Sequence, residues 1–340
     1  MTLVGKDTLE KLLASEFQTY PFLNNGHLQT LAAFLLPQNA LNEYSSSSHT
    51  IDLGDGDKII GILNESLNNL KKNRNVLFVH GLAGSSESAY LIRISRRLLS
   101  LGFNTIRLNL RGCGVGRGLA AQPYHSGRSE DVKAAIEYFS KLMPNSKTTL
   151  VGFSLGGNIC LKLCGEIGSN LLGTLDSLIA VSSPINLLAS VEVLSKPKQR
   201  IYDCFFVSLL KQHVIETHRF YKHLPNINLK KIKSVFEFDE NYTAPFSGFK
   251  DAFDYYAKAS SLPLIERIDL PSLILAAADD PMIDTRDYLR LNETNNRRIV
   301  FTKRGGHLGF LSRKSSAGLH WMDDLIVKSI EAFHANGHLP

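Results

Sequence analysis

A serine between two glycines is the first pattern in this sequence whose residue types and spacing could do chemistry. Ser154 lies in the stretch "TLVGFSLGGNICLKL", which contains "GFSLG", a match to the pattern G-x-S-x-G. That pattern marks a sharp turn from a strand into a helix, where the small residues let the backbone fold tightly and the serine hydroxyl is exposed. The following amide, that of Leu155, could then bind an oxyanion at the N-terminus of the helix. Chance matches are common, but the apolar run before the serine and the helical run after it favour a nucleophile.

A serine nucleophile requires a general base and a carboxylate that orients the base. We expect both later in the chain, each just after a strand. The predicted strand "SLILAAA" precedes "DDPMID", and the predicted strand "RIVFTK" precedes "RGGHLGF". His307 is therefore the predicted general base. The acid is either Asp280 or Asp279; the spacing from the strand favours Asp280, and Asp284 is a weaker third candidate.

A second oxyanion-binding amide is expected from the loop after an earlier strand. The stretch "VLFVHGLAGSSES" has that form, and the backbone amide of Leu82 is the predicted donor. This stretch lacks the lysine of a phosphate-binding loop, and "RGCGVGRG" leads into no clear dinucleotide-binding helix, so we expect no nucleotide cofactor. Cys160 and Cys164 lie four residues apart, but no Cys or His partners accompany them at ligand spacing. We therefore expect buried free thiols rather than a metal site, as in a reducing compartment.

The composition is that of an ordinary globular chain: 44% of the 340 residues are hydrophobic, 21% are charged, and the formal net charge is +6. The basic residues are scattered apart from the small clusters "KPKQR" and "LKKIK", which predicts solvated helix faces and no nucleic-acid partner. Weak contact with an anionic membrane surface is the alternative interpretation. The N-terminus lacks the pattern of a secretory signal, and no run approaches the roughly 18 apolar residues of a membrane helix, so the expected location is cytoplasmic.

Short apolar runs alternate with helical patterns along most of the chain. Such runs predict an α/β fold with a mostly parallel sheet covered by helices on both faces, preceded by a β-hairpin at about 49–63. Residues 185–265 contain helical patterns and aromatic residues but no convincing strand. We interpret them as a helical cap over the C-terminal edge of the sheet. The predicted organisation is an N-terminal segment (1–48) packed on a core (49–184 and 266–340), with the cap (185–265) inserted.

Several longer stretches carry a family likeness, and some of them, such as "NNGHLQT" and "YHSG", are more specific than the serine pattern. On these stretches the sequence resembles the α/β-hydrolase superfamily and, within it, the YheT-like esterases. These are related to the eukaryotic α/β-hydrolase-domain lipases and to the yeast medium-chain ester synthases. The matching stretches are "YPFLNNGHLQTL" (20–31), "HGLAGSSES" (80–88), "NLRGCG" (109–114), "YHSGRSEDV" (124–132), "GFSLGGN" (152–158), "ENYTAPFSGFKDAFDYY" (240–256), "AADDP" (277–281) and "GGHLGF" (305–310).

The resemblance implies an α/β-hydrolase fold and hydrolysis of small-molecule carboxylic esters with short to medium acyl chains, without a cofactor. It also implies that Ser154, Asp280 and His307 form a catalytic triad that works through an acyl-enzyme. Acyl transfer to an alcohol and a non-catalytic binding protein on the same fold are the alternatives. We further expect a structural ion pair between Arg111 and Asp131. An acyl pocket is expected to be lined by apolar residues of the cap, namely Phe205, Phe206, Leu209, Phe246 and Phe249.

Overall fold

The apolar runs of the sequence form the strands of one sheet, and most of their residues are buried because helices cover both faces. The structure, a computed structural model, describes residues 17–36, 41, 43–67, 73–315 and 318–338. Much of the predicted N-terminal segment, including residues 1–16, lies outside the described residues. Within the described part, the strands are β1 (Ser46–Asp52), β2 (Lys58–Asn64), β3 (Arg74–Val79), β4 (Asn104–Asn109), β5 (Lys147–Phe153), β6 (Leu175–Val181), β7 (Ser272–Ala277), β8 (Arg297–Thr302), β9 (Leu311–Ser315) and β10 (Gly318–His320).

The first eight strands form the main sheet of the described chain, in the order β1-β2-β4-β3-β5-β6-β7-β8. Strands β1 and β2 form the predicted antiparallel hairpin, and β2 runs antiparallel to β4. All pairs from β4 through β3 to β8 are parallel. The predicted mostly parallel α/β sheet is therefore confirmed. The loops that follow β5, β7 and β8 all emerge at the same edge of this sheet, which is where the predicted site residues lie.

Helices cover both faces of the sheet. In the described chain they are α1 (Gly26–Leu35), α2 (Ala89–Ser100), α3 (Ser129–Leu142), α4 (Leu155–Ile167), α5 (Leu187–Leu194), α6 (Arg200–Phe220), α7 (Val235–Phe238), α8 (Ala244–Phe246), α9 (Ala252–Ala259) and α10 (Trp321–Asn336). Helices α3 and α4 bury Ile136 and Ile159 against one face of the sheet. Helices α2 and α10 bury Leu98 and Leu325 against the other. The result is a three-layer arrangement with one apolar core on each side of the sheet.

The segment predicted as a cap, residues 185–265, contains α5 to α9 and no strand. It has an apolar cluster of its own, which includes Tyr202, Val214 and Phe238. Leu82, in the loop after β3, and Met282, in the loop after β7, pack against that cluster. Because both loops follow the C-terminal ends of parallel strands, the cap covers the edge of the sheet at which ligands bind in open α/β folds.

A buried ion pair and an aromatic cluster further stabilise the core. Arg111 donates to both carboxylate oxygens of Asp131 at 2.8 and 2.7 Å and to Asp57 at 2.7 Å, as a buried ion pair. This agrees with the predicted pair of Arg111 and Asp131. In the described part of the N-terminal segment, Phe17 packs against the rings of Phe310 and Trp321, with centroid distances of 5.8 and 5.2 Å.

The cysteines are free thiols, with Cys113, Cys160 and Cys164 buried and Cys204 exposed. Burial raises the pKa of the Cys113 and Cys164 thiols to about 12, so both stay protonated at neutral pH. The described residues contain no helix with enough length and apolar character to cross a membrane. They also contain no group of three or more His, Cys, Asp or Glu side chains that could hold a metal ion.

Candidate active site

Ser154 lies at the turn between β5 and α4 with a φ of +52° and a ψ of −123°, a strained conformation for a residue with a side chain. The turn leaves no room for side chains on its flanks. A Cβ added at Gly152 would lie 2.5 Å from the carbonyl oxygen of Gly156, and one added at Gly156 would lie 2.4 Å from that of His80. The glycines of the pattern are therefore required by backbone contact. The backbone N–H of Ser154 donates to the carbonyl of Val181 at 2.8 Å, which holds the turn against β6.

The structure brings His307 and Asp280 to this serine from the loops after β8 and β7. Nε2 of His307 is 2.9 Å from Oγ of Ser154, and Nδ1 is 2.8 Å from Oδ2 of Asp280. A carboxylate can only accept, so Nδ1–H of His307 donates to it. In a neutral imidazole Nε2 then carries no proton and accepts from the Ser154 hydroxyl. This tautomer is the one that a general base requires.

The carboxylate of Asp280, and not that of Asp279, reaches the imidazole. Oδ1 of Asp280 also accepts from the backbone N–H groups of Met282 and Ile283, at 2.9 and 3.3 Å, and the side chain is buried. Asp279 instead accepts from the N–H of Gly306 at 2.9 Å, and burial raises its pKa. The third candidate, Asp284, forms an ion pair with Arg286.

The predicted oxyanion donors lie on two sides of the serine. Leu155 is the first residue of α4, so its N–H has no carbonyl partner within the helix. In the loop after β3, the N–H groups of Gly81 and Ala83 donate to the hydroxyls of Tyr90 and Tyr124, at 3.0 and 2.9 Å. The N–H of Leu82, between them, donates to no backbone carbonyl in the described part of the chain. A Cβ added at Gly81 would lie 3.1 Å from Cβ of Ser154, so this loop packs directly against the serine.

His80 holds the same loop through hydrogen bonds of both ring nitrogens. Its Nε2 accepts from the N–H of Leu110 at 3.2 Å, so Nδ1 carries the proton and donates to the carbonyl of Gly81 at 2.8 Å. Burial lowers the pKa of His80 to about 4, so the imidazole is neutral at physiological pH. Burial also raises the pKa of Tyr90 and Tyr124. These three neutral side chains hold the loop without adding charge next to the serine.

No local pattern marks Tyr90 or Tyr124 as a functional residue. Tyr124 belongs to "YHSG", a stretch that carries the family likeness but no assigned role. A phenol can accept an amide hydrogen from far along the chain, and local spacing does not reveal such a contact. The signal that could have found Tyr124 was the specificity of the motif itself.

Two cavities meet at Ser154 and His307. The first lies beneath the cap and, together with the solvent space at its mouth, measures about 750 Å³, with mostly apolar walls such as Leu194 and Leu210. The second, measured in the same way, is about 1060 Å³ and lies between α1, α6 and the loop after β3. The cavities share Leu82, Ser154, Phe206, Met282 and His307. Ser154 therefore borders two cavities.

The cap aromatics differ in their relation to these cavities. Phe206 lines both, and Phe205 and Leu209 line the second. Phe246 instead stacks on Tyr242 with a centroid distance of 4.4 Å, and Phe249 packs against His125 and Tyr255. Their rings pack against these neighbours, and neither residue lines the two cavities.

The first cavity also has a polar end that contains a buried acid. Asp239 accepts from the hydroxyls of Thr243 and Tyr256 at 2.6 and 2.8 Å. Burial raises the pKa of this carboxyl to about 7. His125 lines the same end; burial lowers its pKa well below the usual value, which keeps its imidazole neutral.

These features define the class of protein. The family model for the α/β hydrolase fold matches residues 74–314, well over half of the chain, and the chain therefore belongs to that family. Among its relatives is YheT of Escherichia coli, described as a presumed esterase, with 29% identity over 94% of both chains. The human phospholipase ABHD3 is 27% identical over 77% of this chain and 65% of its own length. A solved structure of 2,6-dihydroxy-pseudo-oxynicotine hydrolase has the same fold, with a TM-score of 0.59 and 16% identity over 92% of this chain and 73% of its own.

Proposed function

We propose that this chain is a serine esterase that hydrolyses carboxylic esters of short to medium acyl chains. The observation that carries the proposal is the unbroken hydrogen-bond chain from Ser154 through His307 to Asp280. Nucleophile, base and orienting acid are the parts that serine hydrolases use on several unrelated folds. Two relatives are described as an esterase and a phospholipase, and both names denote hydrolysis of esters.

The proposed reaction proceeds in two steps. Oγ of Ser154 attacks the ester carbonyl carbon while Nε2 of His307 takes the hydroxyl proton, and the carbonyl oxygen becomes an oxyanion. The N–H groups of Leu82 and Leu155 donate to that oxyanion, and Asp280 stabilises the imidazolium. The bond to the alcohol oxygen then breaks, and the imidazolium gives its proton to the leaving alcohol. Water attacks the acyl-enzyme in the same way and releases the acid and free Ser154.

The length preference rests on the first cavity. Its walls are mostly apolar, it is bounded by the cap, and its polar end contains Asp239 and His125. An acyl chain that fills the apolar part gains about 0.8 kcal/mol for each buried CH₂ group. A longer chain would press against the polar cluster, so we expect activity to rise with chain length and then fall.

The test is hydrolysis of p-nitrophenyl acetate, butyrate, hexanoate and decanoate by wild type, Ser154→Ala and Ser95→Ala. Ser95 is a buried serine in α2 whose hydroxyl has no hydrogen-bond partner among the described residues, so its substitution is a matched control. We expect Ser154→Ala to lose roughly three or more orders of magnitude in kcat and Ser95→Ala to keep wild-type activity. An inactive wild type that also fails to label with a fluorophosphonate probe would favour a non-catalytic binding protein.

Acyl transfer to an alcohol is the second candidate, and the second cavity favours it. That cavity also borders Ser154 and His307, and it leaves space for an alcohol next to the proposed acyl-enzyme. The same assay with added ethanol separates the two activities, because transfer yields an ethyl ester and hydrolysis yields the free acid. Activity that persists with EDTA would also argue against a metal-dependent hydrolase.

A further inference from the structure

The segment "NNGHLQT" (24–30) has no role in the mechanism above, yet it forms the start of a helix with an unusual arrangement of faces. In α1 the polar side chains of Gln29 and Thr30 are buried, at 0% and 6% exposure. The exposed residues are apolar, namely Leu28, Leu31, Phe34 and Leu35. A surface helix normally turns its apolar face inward. The inverted arrangement indicates that the polar side chains have specific partners inside the protein.

The partner of Thr30 is the backbone of the proposed general base. Oγ1 of Thr30 accepts from the N–H of His307 at 2.8 Å and donates its own hydrogen to the carbonyl of Gly26 at 2.7 Å. The first contact fixes the position of the His307 backbone relative to α1. The second fixes the rotamer of Thr30, so the acceptor lone pair points at His307.

The partner of Gln29 is the far end of the same loop. Its Oε1 accepts from the N–H of Leu311 at 2.7 Å, and its Nε2 donates to the carbonyl of Leu311 at 3.1 Å. Nε2 also donates to the carbonyl of Leu23 at 3.0 Å. The amide therefore satisfies both backbone groups of Leu311, as a neighbouring strand would. Gln29 and Thr30 together hold the loop at two points, four residues apart.

The loop needs such support because its backbone is strained. Leu308 and Phe310 have φ values of +59° and +42°, and Gly305 and Gly306 also have positive φ. Non-glycine residues in this region persist only where the surroundings impose the conformation. The two contacts with α1 are buried and directional, and they lie at both ends of the strained segment.

Helix α1 also contacts the loop that carries the proposed acid. A Cβ added at Gly26 would lie 1.8 Å from the carbonyl oxygen of Asp279, so only glycine allows this approach. Asp279 in turn accepts from the N–H of Gly306 at 2.9 Å. One turn of helix thus contacts both loops, those of Asp280 and His307.

We propose that Gln29 and Thr30 are positioning residues for His307, and that α1 is the template that sets the imidazole between Asp280 and Ser154. This inference rests on the proposed function, since it assigns a role within the same triad. Neither residue exchanges a proton with the substrate. Their effect is on the fraction of molecules in which Nε2 of His307 lies within hydrogen-bond distance of Ser154.

The experiment compares Thr30→Val, Thr30→Ser and Gln29→Met with Thr105→Val. Thr105 is a buried threonine in β4 whose hydroxyl has no hydrogen-bond partner in the described chain, so it controls for loss of a buried hydroxyl. We expect Thr30→Val to lower kcat about 10- to 100-fold, the effect of a misplacement of about 1 Å, with KM nearly unchanged. Thr30→Ser keeps the acceptor and should recover most of kcat, and Gln29→Met should resemble Thr30→Val. Thr105→Val should match wild type.

Two readouts separate this inference from simpler effects. Thr30 also lines the second cavity, so a raised KM with an unchanged kcat would mean that it only contacts substrate, and the inference would be wrong. A lower melting temperature with an unchanged kcat per folded molecule would mean that it is only structural. The low-field proton resonance of the His307–Asp280 hydrogen bond does not depend on turnover, so it tests the geometry even if no ester is hydrolysed. We expect this resonance to be the same in wild type and Thr105→Val and to be shifted or weakened in Thr30→Val; an unchanged resonance in Thr30→Val would refute the inference.

Discussion

Replacing Asp280 with asparagine should reverse the hydrogen-bond direction at His307 while leaving the fold intact. Oδ1 of Asp280 accepts from two backbone N–H groups at 2.9 and 3.3 Å, and Oδ2 accepts from Nδ1 of His307 at 2.8 Å. In Asp280→Asn the amide oxygen should remain on the two N–H groups, because an NH₂ group cannot accept from them. The NH₂ group must then face Nδ1. It can only donate there, so Nδ1 loses its proton and Nε2 gains one.

A protonated Nε2 cannot accept the hydrogen of Ser154. The corresponding change in a well-studied serine protease lowers kcat by about 10⁴-fold with the geometry preserved, and we expect a loss of this order here. Asp279→Asn is the matched control. Asp279 accepts from Gly306 through Oδ1, and its Oδ2 is buried without a hydrogen-bond partner among the described residues. Asparagine can keep the contact with Gly306, and it resembles the protonated form that burial already favours.

The assay is kcat for p-nitrophenyl butyrate, with the rate of labelling by a fluorophosphonate probe as a second measure and circular dichroism as the control for folding. Asp280→Asn should lose both activities, and Asp279→Asn should stay within about tenfold of wild type. Equal losses in the two variants, or the larger loss in Asp279→Asn, would refute the tautomer argument. Such a result would favour Asp279 as the triad acid.

Three further outcomes follow from the contacts around the site. Tyr124→Phe leaves the N–H of Ala83 without its acceptor, which should destabilise the fold by about 1–3 kcal/mol and lower kcat at constant KM. An unchanged kcat would show that Tyr124 does not support the loop that carries the N–H of Leu82. Burial raises the pKa of Asp239 from 3.8 to about 7, so its contribution to stability is fully present below the unfolded value and is lost as the pH rises through about 7. The loss is at most about 4 kcal/mol, and Asp239→Asn should flatten the change of melting temperature between pH 5 and 8. Phe34, 70% exposed at the edge of the second cavity, should aid flotation with phosphatidylglycerol vesicles, so Phe34→Asp should weaken it while Leu171→Asp, at a site that lines neither cavity, should not.

The sequence was sufficient for the parts of the fold that depend on local pattern. Apolar runs of five to seven residues predicted the parallel strands, because strands covered on both faces are mostly apolar. The glycines around Ser154 predicted the turn, since their spacing matches a known strand-to-helix pattern. The order of strands then placed Asp280 and His307 at the correct edge. The choice between Asp279 and Asp280 was harder, because adjacent residues differ only in the direction of their side chains.

Contacts between distant segments could not be predicted from sequence patterns. Tyr90 and Tyr124 hold a loop through hydroxyl groups, and Thr30 meets His307 across 277 positions of the chain. None of these pairs has a characteristic spacing. The aromatic cap residues show the converse problem: Phe205 and Phe246 have similar character, but only the tertiary structure decides that one lines a cavity and the other stacks on Tyr242.

The sheet order explains why the base needs more support than the acid. Neighbouring strands lie about 4.8 Å apart, and β8 is three strands away from β5 in the order β5-β6-β7-β8. The loop that carries His307 must therefore reach back across roughly 14 Å to meet Ser154. Asp280 follows β7, the strand next to β8, and its carboxylate is held by amides two and three residues away. His307 lies in a loop with several positive φ values, and the side chains of Thr30 and Gln29 in α1 accept from the backbone N–H groups of His307 and Leu311 in that loop. Loss of the α1 contacts should therefore displace the imidazole of His307 from Ser154 and leave the turn at Ser154 intact.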